Sequence, residues 1–218
     1  MTPPQIDHVC WLVDDAAATE AALRSVGLGS ERGMYYPRAG TQHWVVPLMP
    51  PQSLEFLTIV NRADARSGDV GPEILAAEAS GGGLFTWAVL VDELEAVAER
   101  HGLAIDDYTL PQPDGTLRGW RTASGPQHLP FFIDYPSNGN RSERLMAGYQ
   151  RAGHTSAPTR FARLVVKGDP TEMRDWIGPN SLPLEFVASP GPGGGLVAAE
   201  IATEVGAVSV PRISISRK

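Results

Sequence analysis

Apolar residues along this chain fall into short alternating runs, interrupted by helix-period stretches and by glycine- and proline-rich breaks, and the order of these runs occurs twice. Residues 5–13 alternate, which predicts Ile6, His8, Cys10 and Leu12 on one face of a strand and Val9, Trp11 and Val13 on the other. Both faces are mostly apolar, so the strand is expected to be covered on both sides and His8 to point into an enclosed space. Asp14 or Asp15 can cap a helix carrying Thr19, Ala22, Leu23 and Val26 at helical spacing, with Gly27 as its stop. Three β-like runs follow, at 30–37, 42–48 and 54–60.

The second copy starts with a strand at 84–91. It continues with a helix capped by Asp92, striped by Leu94, Val97 and Ala98 and stopped by Gly102, and with runs at 105–110, 117–122 and 131–135. Residues 111–115, Pro-Gln-Pro-Asp-Gly, read as a turn, because proline sets one dihedral and Asp-Gly suits a tight connection. Aligning Val13 with Val91 puts His8 opposite Thr86, and Glu55 opposite Phe131 or Phe132. One half carries a His and a Glu; the other carries neither.

The expected architecture is α+β, with paired β-α-β-β-β modules at 5–61 and 84–136 curled around a shared cleft. Residues 62–83 are a connector with a helix at 73–79. A partial third module is expected at 155–212, with a strand at 161–166, a helix at 169–176 that has Pro170 at its first position, and strands at 184–188 and 196–202. The run 189–195, Ser-Pro-Gly-Pro-Gly-Gly-Gly, lacks the Gly-Lys-Ser/Thr ending of a phosphate loop, and a hairpin turn is expected there instead.

Composition narrows the partners. A net charge of -7 without a basic block argues against nucleic acid, and no apolar run reaches the ~18 residues of a membrane span. Cys10 is the single cysteine, which excludes a disulfide framework and fits a reducing, cytoplasmic setting. Its thiol is expected to be buried and structural. No nucleotide cofactor is expected.

Paired modules with a His on the first strand and a Glu on the fourth resemble the vicinal oxygen chelate superfamily, and within it the bacterial glyoxalase-like domain group. The segments that carry the resemblance are Ile6-Asp-His-Val9, 36–48, Leu54-Glu-Phe-Leu57 and 129–135. The resemblance implies a small-molecule enzyme of the lyase, isomerase or dioxygenase-like kind with His8 and Glu55 as catalytic residues. It also implies a divalent metal held by His8 and Glu55; the candidates for a third ligand, His43, His128 and Asp134, stand at none of the family's ligand positions. Without metal, a buried Glu55 is expected to have its pKa raised and to share a proton with His8. The alternative is a non-catalytic binder that sequesters a small molecule, as drug-resistance members of the superfamily do.

Tyr36, His43, Trp120 and Arg121 are the expected substrate-binding residues, an aromatic wall with one guanidinium that suits a planar or acidic ligand. Trp87 is expected in the core. Since both modules lie in one chain, a monomer suffices for a complete cleft, and a homodimer is the alternative.

Overall fold

The computed structural model describes residues 3–111, 117–136, 141–188 and 195–211. Most of the turn expected at 111–115 and of the glycine-rich run at 189–195 lies outside them. The chain forms β1 (Gln5–Leu12), α1 (Ala16–Ser25), β2 (Glu31–Tyr36), β3 (Thr41–Pro47) and β4 (Ser53–Ile59). Two short helices come next, α2 (Arg62–Ser67) and α3 (Gly71–Ala79). The order then repeats as β5 (Gly83–Leu90), α4 (Leu94–His101), β6 (Ile105–Pro111), β7 (Leu117–Ala123) and β8 (Phe131–Asp134). After α5 (Arg141–Arg151) come β9 (Arg160–Lys167), α6 (Pro170–Ile177), β10 (Leu184–Val187), β11 (Gly195–Thr203) and β12 (Gly206–Ser209).

Local chemistry explains the helix ends. The Asp15 carboxylate accepts from the Ala18 amide at the start of α1, and Asp169 does the same for Thr171 at α6, where Pro170 needs no amide partner. Gly102 ends α4 in the left-handed conformation that its missing Cβ permits.

The two modules share one eight-stranded sheet of order β2-β3-β4-β1-β5-β8-β7-β6. In each module the first strand lies parallel to the last, β1 with β4 and β5 with β8, and β1 joins β5 antiparallel at the centre. The sheet curls until its outer strands approach: Tyr36 of β2 lies 6.2 Å, ring to ring, from both Tyr108 of β6 and Trp120 of β7. One concave face results. The convex face packs on the helices through Val9, Trp11, Leu54, Phe56, Trp87, Leu23 and Leu94, in a core that continues into Phe161, Leu164 and Trp176 of the C-terminal unit. Each such side chain contributes about 1.5–3 kcal/mol when fully buried.

That unit forms its own sheet, ordered β10-β9-β11-β12. β9 runs parallel to β10 through the α6 crossover, and β11 lies on the other side of β9. The hairpin expected between β10 and β11 is therefore not formed, because a parallel pair needs a crossover and puts the next strand on the opposite edge.

Two β-bulges separate the strand faces from strict alternation. Between the pairs Ile6–Val89 and His8–Ala88, β1 carries one extra residue, Asp7. Ile6 thereby joins the helix-side core with Val9 and Trp11 rather than the face of His8. Between Cys10–Thr86 and Trp11–Leu84 the extra residue is Phe85 on β5, which sends Leu84 to the core and Phe85 to the concave side.

Candidate active site on the concave face

The strand register brings the two expected catalytic residues together. Cys10 lies beside Glu55 across the β1–β4 pair, and His8 occupies the same face two residues earlier. In the second module Ala88, the counterpart of Cys10, lies beside Phe131. Phe131 is thus the residue standing where Glu55 stands, and its ring meets His8 edge-on at 5.5 Å. Phe132 points to the opposite side and is fully buried in the core.

His8 is held by a residue that the alternation argument passed over. The carboxylate of Asp7, 1% exposed, lies 2.7 Å from His8 Nδ1. The same carboxylate accepts from the Tyr135 hydroxyl at 2.9 Å and pairs with Arg141, whose Nη2 also donates to the Pro51 carbonyl at 3.0 Å. A partner at Nδ1 orients the ring, which also hydrogen-bonds the Cys10 thiol. Burial alone would push the imidazole down, but Cys10, Glu55 and Asp7 outweigh it and raise His8 well above its ordinary value. Burial also raises the Cys10 thiol, against the pull of His8.

Glu55 behaves opposite to expectation. Desolvation favours its neutral form, but His8, a hydrogen bond from His43 and the charges of His43 and Arg118 together lower it to about 2. The expected rise in its pKa is therefore reversed, while the imidazole that faces it is raised. His43 Nδ1 lies 3.4 Å from Glu55 Oε2, and its Nε2 lies 2.9 Å from the Thr41 hydroxyl. The His43 and Glu55 side chains keep 21% and 20% of their surface open, enough to meet a small molecule.

The walls are aromatic and aliphatic. Tyr36 packs edge-on against His43, and Trp120 stacks on Tyr108 at 5.4 Å with the Arg38 guanidinium 4.1 Å from the Tyr108 ring. At the far end, Ile74 and Ala77 of α3 cover Cys10, Leu12 and Leu57, so the connector plugs one end of the concave face. Trp87 is buried in the core as expected, and Trp44 stacks on Phe56 there.

Arg121 is not part of this face. Its guanidinium pairs with Glu95 of α4 and with Asp134 on the helix side. Side chains alternate along β7, so Trp120 and Arg121 cannot both face the cleft; the arginine that shares the face of Trp120 is Arg118. Of the candidate third ligands only His43 reaches the site: Asp134 is bound to Arg121, and His128 pairs with Glu172 at 3.1 Å.

The donor set does not suit a metal. The His8 ring is engaged by Asp7 and by Cys10, both His43 nitrogens have partners, and cationic Arg118 and Arg141 stand nearby. Thr86 and Phe131 replace the second pair of ligands. Among the described residues no three His, Cys, Asp or Glu side chains converge on a metal position. An open cleft of about 520 Å³ lies elsewhere, between His101, Leu129, Asp169, Glu172 and Trp176. Two of its polar groups are partnered within the protein, Trp176 Nε1 with the Pro130 carbonyl and His101 with the Trp176 carbonyl.

No helix among the described residues is long and apolar enough to cross a membrane. No curated protein matches the sequence. A hypothetical protein from Staphylococcus aureus has a similar structure, with a TM-score of 0.64 at 12% identity over 99% of this chain and 86% of that one. The Mn(II)-bound glyoxalase from Novosphingobium aromaticivorans covers 97% of this chain and 81% of its own at 12% identity and a TM-score of 0.45. A variant methylmalonyl-CoA epimerase from Streptomyces coelicolor, in complex with 2-nitronate-propionyl-CoA, aligns with 62% of this chain and 100% of its own at 15% identity and a TM-score of 0.46. The sequence profile of the glyoxalase-like domain family matches residues 6–178. With that match over residues 6–178 and the paired β-α-β-β-β modules, the chain belongs to the glyoxalase-like domain family.

Proposed function

We propose that the protein is a small-molecule enzyme that moves a proton next to a carbonyl group, an isomerase- or lyase-type reaction, with His8 and Glu55 as its catalytic residues. The observation that supports this reading best is the buried Asp7 carboxylate at 2.7 Å from His8 Nδ1. It fixes the ring on the strand face that Glu55 shares. His8, its pKa raised by Cys10, Glu55 and Asp7 against burial, donates to the carbonyl oxygen as negative charge develops there, and Glu55 accepts the proton from the adjacent carbon. A carboxylate held at about 2 is a weak base. Substrate entering between Glu55 and its cationic partners loosens those contacts and brings its basicity nearer the working pH. No step needs a metal.

The aromatic cluster of Tyr36, Tyr108 and Trp120 favours a second reading, in which the cleft binds a small molecule without turning it over. One experiment separates the two. Small carbonyl compounds are incubated with the protein in deuterated water, and deuterium entering the carbon beside the carbonyl is followed by NMR. Exchange by the wild type, lowered about a hundredfold or more in both His8→Gln and Glu55→Gln, supports catalysis. Ligand binding with no exchange supports the binder. Exchange that survives in Glu55→Gln removes that residue from the mechanism.

A further inference from the structure

The part of the cleft beside Asp7 is crowded with guanidinium groups. Arg118 shares the concave face with Trp120, two residues along β7. Arg141 and Arg144 lie three residues apart on α5, hence on one side of that helix. Arg144 is exposed; partial desolvation, then repulsion from Arg118 and Arg141, holds its guanidinium below its ordinary value, and all three arginines lie within electrostatic range of Tyr135. Against them the site offers two carboxylates, Asp7 and Glu55, and His8 adds a further positive charge. In a chain of net charge -7 such a local surplus is not a property of the surface at large.

Arg141 is fixed in place. It pairs with Asp7, donates to the Pro51 carbonyl, and its guanidinium carbon lies 4.3 Å from the Tyr135 ring centre. Yet the Nε groups of both Arg118 and Arg141 are buried with no acceptor among the described residues. Buried guanidinium donors ordinarily have partners, and both of these lack one. Planar guanidinium groups match the oxygens of a carboxylate or phosphate better than any other small group.

We propose that Arg118, Arg141 and Arg144 form an anion-binding subsite beside His8 and Glu55, and that the molecule entering the cleft carries a carboxylate or phosphate group. This deepens the reading of the cleft as an active site and rests on it for the word substrate, but the binding claim stands apart from turnover. The anion would anchor one end of the molecule at the arginines and leave its neighbouring carbonyl to His8 and Glu55, with any apolar remainder against Tyr36 and Trp120. It would also screen Arg118 from Glu55, which raises the basicity of that carboxylate when substrate is bound.

The test is a titration of the full chain with inorganic phosphate, oxalate and propionate at constant ionic strength, followed by calorimetry, with chloride as the control anion. The expected result is saturable binding of phosphate or of the carboxylates; whichever binds more tightly names the head group. Arg118→Gln and Arg144→Gln should each weaken binding about tenfold or more. Arg118→Lys, which keeps the charge and loses the fork, should fall between. Glu55→Gln, which removes a negative charge from the site, should tighten binding. Absence of saturable binding in the wild type, or equal affinities in the wild type and a folded Arg118→Gln, overturns the proposal. Because binding is read without turnover, a failed deuterium exchange with intact anion binding would count against the catalytic reading alone.

Discussion

Asp7 and His8 are sequence neighbours on one strand, yet the Asp7 carboxylate lies 2.7 Å from His8 Nδ1. The bulge in β1 makes this contact, since a regular strand would send the two side chains to opposite faces. It places a buried charge directly behind the imidazole. The same carboxylate binds Arg141 and Tyr135, so His8 and the proposed anion subsite share one anchor.

Replacing Asp7 with Asn should therefore damage both stability and site. Asn keeps the size but leaves the buried Arg141 guanidinium, 11% exposed, without its counter-charge. A loss of about 3 kcal/mol in urea unfolding is expected. An Asp7→Asn protein as stable as the wild type would show that Arg141 has another counter-charge.

The pH dependence of stability follows from the two opposed shifts. Glu55 is lowered from 4.5 to about 2, so the stability it contributes is present above 4.5 and is lost as the pH falls towards 2. That contribution is at most about 3 kcal/mol. His8 is raised above 6.5, so its contribution is complete below 6.5 and is lost as the pH rises through the raised value. In equilibrium unfolding across pH, Glu55→Gln should narrow its gap from the wild type on the acid side and His8→Gln on the alkaline side. Parallel curves for wild type and variants would contradict these shifts.

Arg121 and Arg118 should part company under mutation. Arg121→Gln leaves Asp134, whose side chain is 9% exposed, without its partner, and should cost about 3 kcal/mol of stability while anion affinity stays within twofold. Arg118→Gln should do the reverse. Loss of anion binding in a folded Arg121→Gln would place that residue in the cleft after all.

The aromatic clasp can be opened at one residue. Tyr108→Ala removes the ring stacked on Trp120 and facing Tyr36, at a cost of about 1 kcal/mol beyond lost burial. Trp120 should then become more accessible to acrylamide quenching, while the core residues Trp11 and Trp87 stay protected. Unchanged quenching would mean that the outer strands are held together without the clasp.

Chelation supplies the last check. Dialysis against EDTA should leave proton exchange and anion affinity unchanged, and elemental analysis of untreated protein should find less than one divalent metal per chain. Activity abolished by EDTA and restored by a metal would show that His8, His43 and Glu55 rearrange into a ligand set.

Much of this protein is written in local pattern. The repeat of strand, helix and three strands can be read from hydrophobic alternation and from stops such as Gly27 and Gly102, because periodicity and backbone sterics act over a few residues at a time. Aligning the repeats also singles out His8 and Glu55, since each module pairs its first strand with its fourth. Helix α5 and its Arg141 and Arg144 were missed, although the spacing of Leu145, Met146 and Tyr149 is a helical signal that points to them.

Other features needed the folded chain. A bulge is one residue of slack between paired strands, and alternation within a single strand carries no sign of it. Asp7, Ile6, Leu84 and Phe85 therefore took their faces from pairing. The choice between Phe131 and Phe132, and between Arg118 and Arg121, is a matter of one residue, and one residue in a strand is a change of side. The low pKa of Glu55 arises from His8, His43 and Arg118, charges on three other strands. Sequence determined which elements form and which residues carry chemistry, because those depend on neighbours along the chain. Only tertiary structure decided which of those residues face one another, because register and curl depend on contacts between segments far apart in sequence.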